Sequence, residues 1–95
     1  MTIEQHINTR TPVLLHTAKE QSDFFKFLEL RYPDTRIPLN SVNQNGCYEI
    51  AIVLDTSTIP TRINWSWSDL TYFTEGDGRH IYKTPIPFSK ILYKR

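Results

Sequence analysis

The pattern of apolar and polar positions changes from that of a strand to that of a helix near residue 17. Pro12 precedes the short run 13–16, which has the length and composition of a buried strand. Thr17 and Glu20 then form a T-x-x-E capping box, in which each side chain accepts a hydrogen bond from the backbone amide of the other residue. The sequence therefore predicts a strand that leads directly into a helix.

The residues after this cap have the spacing of an amphipathic helix. One stripe is apolar and carries Phe24, Phe25 and Leu28. The other side is polar and consists of Lys19, Glu20, Asp23, Lys26 and Glu29. Because Pro33 disfavours helical backbone at the residue before it, the predicted helix ends at about Arg31.

Two alternating segments in the second half of the chain predict an antiparallel hairpin. The first, residues 47–54, begins after the turn-forming pair Asn45-Gly46, and the second covers residues 62–68. The core face of the first segment consists of Tyr48, Ile50, Ile52 and Leu54. On the second segment, Ile63, Trp65 and Trp67 share one face, opposite Arg62, Asn64, Ser66 and Ser68. The hairpin therefore has one face suited to packing against the helix.

The rest of the chain has weaker patterns. Residues 1–11 show neither the helical nor the strand spacing of apolar residues and predict a loosely ordered arm. Residues 33–45 predict an irregular segment. Residues 69–74 fit strand continuation and a turn of helix equally well. The glycines of residues 75–78 predict a turn, and residues 79–84 predict a third main strand.

Together these elements predict a single α+β domain over residues 1–95. An antiparallel sheet of about three to five strands packs against one main amphipathic helix. The length of 95 residues allows one core of modest size.

Composition narrows the class of protein. Apolar residues make up 39% of the chain and aromatic residues 13%, which excludes a disordered tail, a collagen-like chain and a coiled coil. No apolar run has the length of a membrane span, and the first residues lack the apolar region of a secretory signal, so we expect a cytoplasmic protein without a membrane partner. The single cysteine, Cys47, rules out an internal disulfide.

The formal charge of +1 hides an asymmetry between the two parts of the chain. The acidic residues all lie before residue 79, whereas the last seventeen residues carry five Lys or Arg and no acid. This basic segment also contains aromatic residues, and its candidate partner-binding side chains are Arg79, His80, Tyr82, Lys83, Lys90, Tyr93 and Lys94. Docking against the acidic part of the same chain, or plain solvation, remains an alternative.

A cluster of aromatic residues follows the hairpin. Trp65, Trp67 and Tyr72, with Arg79 and Lys83 nearby in sequence, have the chemistry that stacks a nucleotide base and neutralises its phosphate. The same residue types dominate protein interfaces and also fill ordinary cores. All three interpretations of the two tryptophans stay open at this point.

Motifs for catalysis and for metal or cofactor binding are absent from the sequence. The histidines and Cys47 lack ligand spacing, so no metal site is expected, and no glycine-rich phosphate loop predicts a cofactor. Nucleophile motifs are also missing. A hydrolase would have to use loop carboxylates, for which the candidates are Asp55, Asp69, Glu75 and Asp77.

The layout of the chain resembles that of small α+β proteins that bacteriophages encode among their accessory genes. The segments that carry the resemblance are TAKEQSDFFKFLELRYP, NGCYEIAIVLD, NWSWSDLTYF and PFSKIL. The resemblance implies a non-enzymatic role against a host system, either by blocking a defence or regulatory protein through direct contact or by sequestering a nucleotide signal.

Three functions follow, in order of preference. The first is a phage-type binding protein that inhibits a host defence or regulatory protein by stoichiometric occlusion. The second is a nucleotide-binding sponge that sequesters an immune signalling nucleotide, with homo-oligomerisation left open, and the third is a small loop-carboxylate hydrolase. Nonspecific nucleic-acid binding is disfavoured, because counterion release needs several phosphate contacts and the net charge is close to zero.

Overall fold

The fold is known from a computed structural model that describes residues 1–36 and 49–91. It is a small α+β domain with helices on both sides of one mixed sheet. The elements in chain order are α1 Ile3–Thr9, β1 Val13–Leu15, α2 Ala18–Arg31, β2 Ile50–Thr56, β3 Ile63–Asp69, α3 Leu70–Thr74, α4 Gly78–Ile81, β4 Ile86–Pro87 and a 3₁₀ turn Phe88–Lys90. The predicted fold class is confirmed.

The sheet has the strand order β3-β2-β1-β4. The predicted hairpin of β2 and β3 is confirmed as antiparallel, and β1 is also antiparallel to β2. β4 runs parallel to β1, so the prediction of a purely antiparallel sheet was wrong. This parallel pair is short because Pro85 and Pro87 have no N–H, which leaves Ile86 to donate to the carbonyl of Pro12 at 3.0 Å.

The main core lies on one face of the sheet, here called the first face. Ile50, Ile52 and Leu54 of β2 are buried there, as predicted, together with Val13 and Leu15 of β1. The helix side of this core is formed by Ile3, Ile7, Phe24, Phe25 and Leu28. α1 and α2 therefore cover the first face together.

The prediction of a loosely ordered arm over residues 1–11 was wrong, because most of that segment forms α1. Thr2 accepts from the amide of Gln5 at 3.2 Å, and the Gln5 side chain accepts from the amide of Thr2 at 2.8 Å. Ile3, His6 and Ile7 follow this capping box at helical spacing, and all three are buried. The capping box and one apolar stripe are enough to hold a two-turn helix on the sheet.

The predicted bounds of α2 are confirmed. The Thr17 hydroxyl accepts from the amide of Glu20 at 3.1 Å, whereas the Glu20 carboxylate accepts from the amide of His16 at 3.1 Å instead of that of Thr17. Tyr32 caps the other end by donating to the carbonyl of Leu28 at 2.7 Å. This helix is the longest described, but it shares the sheet with three shorter ones among residues 1–36 and 49–91.

The other face of the sheet, the second face, carries a smaller core of Ala51, Val53 and Phe73, with Tyr82 packed against it. Residues 70–82 cross this face as α3 and α4, so the third main strand predicted for residues 79–84 was wrong. Residues 69–74, which the sequence left open, divide between the end of β3 and α3. The predicted turn at Asn45-Gly46, with Cys47 and Tyr48, lies outside the described residues, as does most of the segment 33–45.

Candidate functional site

The structure divides the basic C-terminal segment between the two faces of the sheet. Tyr82 packs on Phe73 over the second face, with ring centroids 5.6 Å apart. Phe88, by contrast, packs on Phe24 of α2 at 5.3 Å, on the first face, and Lys90 follows in the same 3₁₀ turn. Of the predicted contact residues, Arg79, His80, Tyr82 and Lys83 therefore lie together and Lys90 lies apart from them, while Tyr93 and Lys94 fall outside the described residues.

We call the part on the second face the α3–α4 surface and define it by Tyr72, Arg79, His80, Ile81 and Lys83. All five residues are exposed. Ile81 is 63% exposed and Tyr72 is 37% exposed, which places two large apolar groups in solvent within one short pair of helices. The sequence analysis named four of these side chains but missed Ile81, because it assigned residue 81 to a strand.

Close packing beneath the α3–α4 surface fixes the position of α4 against α3. Gly78 lies so near Tyr72 that a Cβ atom there would be 2.6 Å from Cε1 of the ring and 2.9 Å from the Tyr72 carbonyl oxygen. Phe73 is buried against β2 and contacts Tyr72 at 5.1 Å between ring centroids. The exposed side chains are thus presented by a packed unit.

The cations of this surface are free of intramolecular acids among the described residues. The ion pairs described for residues 1–36 and 49–91 include neither Arg79 nor Lys83. Arg79 Nε donates to Nε2 of His80 at 3.1 Å, so this nitrogen of His80 acts as an acceptor. Glu75 and Asp77 lie exposed in the turn between the two helices, and they are also absent from these pairs.

Arg10 joins this surface from the far end of α1. It has a left-handed backbone with φ of 54°, and its guanidinium carbon lies 5.4 Å from the centroid of the Tyr82 ring. Its Nη2 is 3.8 Å from Oδ2 of Asp55, a loose contact between two half-exposed side chains. Sequence reasoning missed Arg10, because nothing in the spacing of the chain predicts its contact with Tyr82.

The residues predicted to stack a base are not brought together. Trp65 packs on Phe25 at 4.9 Å, and its indole N–H donates to the carbonyl of Arg36 at 2.9 Å, so its role in the described structure is to support the core. Trp67 is 41% exposed and shares the first face with Ile52. Tyr72, Arg79 and Lys83 belong to the layer on the second face, so the sheet separates them from both tryptophans.

Two of the four candidate loop carboxylates, Asp55 and Asp69, are also separated from each other. The register of the hairpin places Asp55 opposite Asn64 and Asp69 opposite Ile50, so the two acids point to opposite faces at opposite ends of the ladder. Within residues 1–36 and 49–91, no three His, Cys, Asp or Glu side chains are arranged to hold a metal ion. The described acids therefore form no cluster of that kind.

Comparison of the chain with protein-family models, with curated proteins and with solved structures found no match. Among the described helices, none combines the length and the apolar character needed to cross a membrane.

Proposed function

We propose that this chain is a non-enzymatic binding protein that inhibits a bacterial host protein by occupying one of its surfaces. The contact is made by the α3–α4 surface. The observation that carries the proposal is Ile81, a large aliphatic side chain that is 63% exposed on α4, the helix whose Gly78 packs against Tyr72 of α3.

The energetics favour a protein partner. Burying an isoleucine side chain stabilises a complex by about 1.5–3 kcal/mol, and tyrosine and arginine are enriched among the residues that dominate binding. Ile81, Tyr72 and Arg79 combine these features within two short helices that pack against each other. An aliphatic anchor next to an aromatic ring and a guanidinium fits the centre of a protein interface.

The charges specify the chemistry of the partner. Lys83 follows Tyr82, and the guanidinium of Arg10 lies over the Tyr82 ring, so both residues add positive charge to that of Arg79. The partner we expect has an apolar pocket for Ile81 with acidic residues on one side of it. Such complementarity raises the association rate more than it raises the affinity.

A protein ligand is preferred to a nucleotide because both tryptophans lie on the opposite side of the sheet from Arg79 and Lys83, and of the three predicted stacking residues Tyr72 alone lies on their side. Trp67 is exposed on the first face, whereas Arg79 and Lys83 are on the second. A nucleotide that binds the folded chain would stabilise it by RT ln(1 + [L]/Kd) and would therefore raise its melting temperature as the ligand concentration rises above Kd. We expect no such shift with mononucleotides or cyclic dinucleotides.

A photo-crosslinking amino acid placed at residue 81 tests the proposal in bacterial cells. The matched control places it at residue 30, because Leu30 is also an aliphatic residue on a helix and is 84% exposed. We expect one host protein to be crosslinked at residue 81, in about a one-to-one molar ratio to this chain. We expect it not to be crosslinked at residue 30. The same products from both positions, or no product from residue 81, would contradict the proposal.

A further inference from the structure

A concave site lies at the hairpin end of the molecule, on the first face and therefore away from the α3–α4 surface. It is an open groove of about 260 Å³ between α1, the residue after α2 and the loop that joins β2 to β3. Ile7 and Ile63 are buried and supply apolar walls, and the exposed Ile59 extends them. All the lining residues are among those that the structure describes.

The charged residues of this groove are not equivalent. Glu4 lines one side, but it forms an ion pair with Arg31. Arg62 also lines the groove, is exposed and forms no ion pair with any described residue. Asp34 is tied to the same loop through the Thr61 hydroxyl, and it is not part of the lining. The groove therefore offers one cation whose charge is not compensated by a paired acid.

Polar groups that can bind a peptide bond lie beside the apolar walls. The side chains of Asn8 and Tyr32 line the groove, and within the described part of the chain neither is engaged in a hydrogen bond. An amide and a phenol can each donate to a carbonyl and accept from an N–H. Asn8 and Tyr32 line the same groove as Arg62, so they can bind a backbone amide of a ligand whose charged end meets Arg62.

We infer that this groove binds the carboxyl-terminal residue of a polypeptide when that residue is aliphatic. The side chain occupies the space between Ile7, Ile59 and Ile63, and the terminal carboxylate pairs with Arg62. Asn8 and Tyr32 bind the last peptide group. The volume is smaller than that of a typical site for a drug-sized ligand, which suits one residue with the chain continuing into solvent.

Titration of the protein with acetyl-Ala-Ala-Leu, followed by NMR amide chemical shifts, tests this inference. We expect saturable shifts confined to residues 4–8, to residue 32 and to residues 56–63, with a Kd on the order of 1 mM, the level that about a dozen non-hydrogen atoms supply. The same peptide with a carboxamide end should bind about 3- to 5-fold more weakly, since it loses an exposed ion pair.

A pair of matched variants locates the carboxylate. Arg62→Gln should weaken binding of the free acid about 3- to 5-fold and abolish the difference between acid and amide, whereas Arg79→Gln, on the opposite face, should change neither. The inference is overturned if acid and amide bind equally to the unmodified protein, if both variants behave alike, or if no saturable shift occurs by roughly 10 mM. Equally tight binding of 3-methylbutanoate would overturn the assignment to a peptide.

These outcomes are independent of the proposed host-protein contact. The peptide titration reports on residues 4–8, 32 and 56–63, whereas the crosslinking experiment reports on residue 81, so either can fail while the other succeeds.

Discussion

His6 is the residue whose chemistry is most constrained by its surroundings. It is fully buried on α1, and its Nδ1 lies 2.7 Å from the backbone carbonyl oxygen of Thr11. Because a carbonyl only accepts, Nδ1 carries the proton in the neutral ring. Nε2 is buried without a hydrogen-bond partner among the described residues. Burial lowers the pKa of His6 below its usual value of 6.5. The hydrogen bond to Thr11 acts in the opposite direction, and the N-terminal charge lowers the pKa slightly further.

This environment makes stability depend on pH in a defined direction. Since the pKa of His6 is lower in the folded chain, the unfolded chain binds the proton first, and stability is lost as pH falls below 6.5. Between pH 7.5 and 5.5 we expect the free energy of unfolding to fall by up to about 1.4 kcal/mol from this residue. Urea unfolding at several pH values measures the slope.

The variant His6→Asn isolates this effect, because asparagine keeps an N–H donor for Thr11 but does not titrate. The free energy of unfolding of this variant should change less with pH over the same range than that of the unmodified protein, whatever the absolute stability of the variant. A stability that does not change over this range in the unmodified protein would show that His6 is not buried as a neutral ring.

At the scale of elements, α1 gives the most direct test of the corrected fold. Ile3→Ala removes a buried side chain from the main core and should lower the free energy of unfolding by about 2–4 kcal/mol. Ile59→Ala makes the same chemical change at an exposed position and should cost less than about 0.5 kcal/mol. Equal effects of the two substitutions in chemical denaturation would mean that residues 1–11 are the loose arm that the sequence predicted.

Local signals explain which elements the sequence predicts correctly. The bounds of α2 follow from the cap at Thr17 and from Pro33, and the β2–β3 pair follows from uninterrupted alternation. The signals for α1 were also present, since Thr2 and Gln5 form a capping box and Ile3 and Ile7 are four residues apart. α1 was missed because two turns are too short to produce a clear period.

The incorrect third strand has a different cause. Residues 79–84 are as compatible with alternation as with a turn of helix, and α4 has only four residues. Its conformation is accompanied by the packing of Gly78 against Tyr72 and of Tyr82 against Phe73. Contacts of this kind join residues of separate elements, and local patterns do not contain them.

For the whole molecule, the candidate site could be predicted only in part. Sequence reasoning selected Arg79, His80 and Lys83 by charge, but it treated Lys90 as part of the same surface. β4 passes along the edge of the sheet between them and places Phe88 on the other face. The approach of Arg10 to Tyr82 likewise depends on how α1 and α4 meet the sheet.

The charges of the α3–α4 surface should act mainly on association. Arg79→Glu combined with Lys83→Glu should slow binding to the crosslinked host protein about 10-fold at low salt, with a smaller difference at high salt. Lys19→Glu combined with Lys26→Glu, on the exposed side of α2, should leave the rate within about 2-fold. Stopped-flow association measurements compare the two pairs. An equal loss of association rate in both double variants would indicate a nonspecific effect of net charge.

The central claim, that the α3–α4 surface binds a partner protein, is tested most directly by the Kd of the purified complex for Ile81→Ser and for Leu30→Ser. Both residues are exposed aliphatics, so neither substitution should alter the free energy of unfolding by more than about 0.5 kcal/mol. We expect Ile81→Ser to raise the Kd at least about 10-fold and Leu30→Ser to leave it within about 2-fold. An unchanged Kd for Ile81→Ser, or an equal rise of the Kd for both variants, would contradict the account.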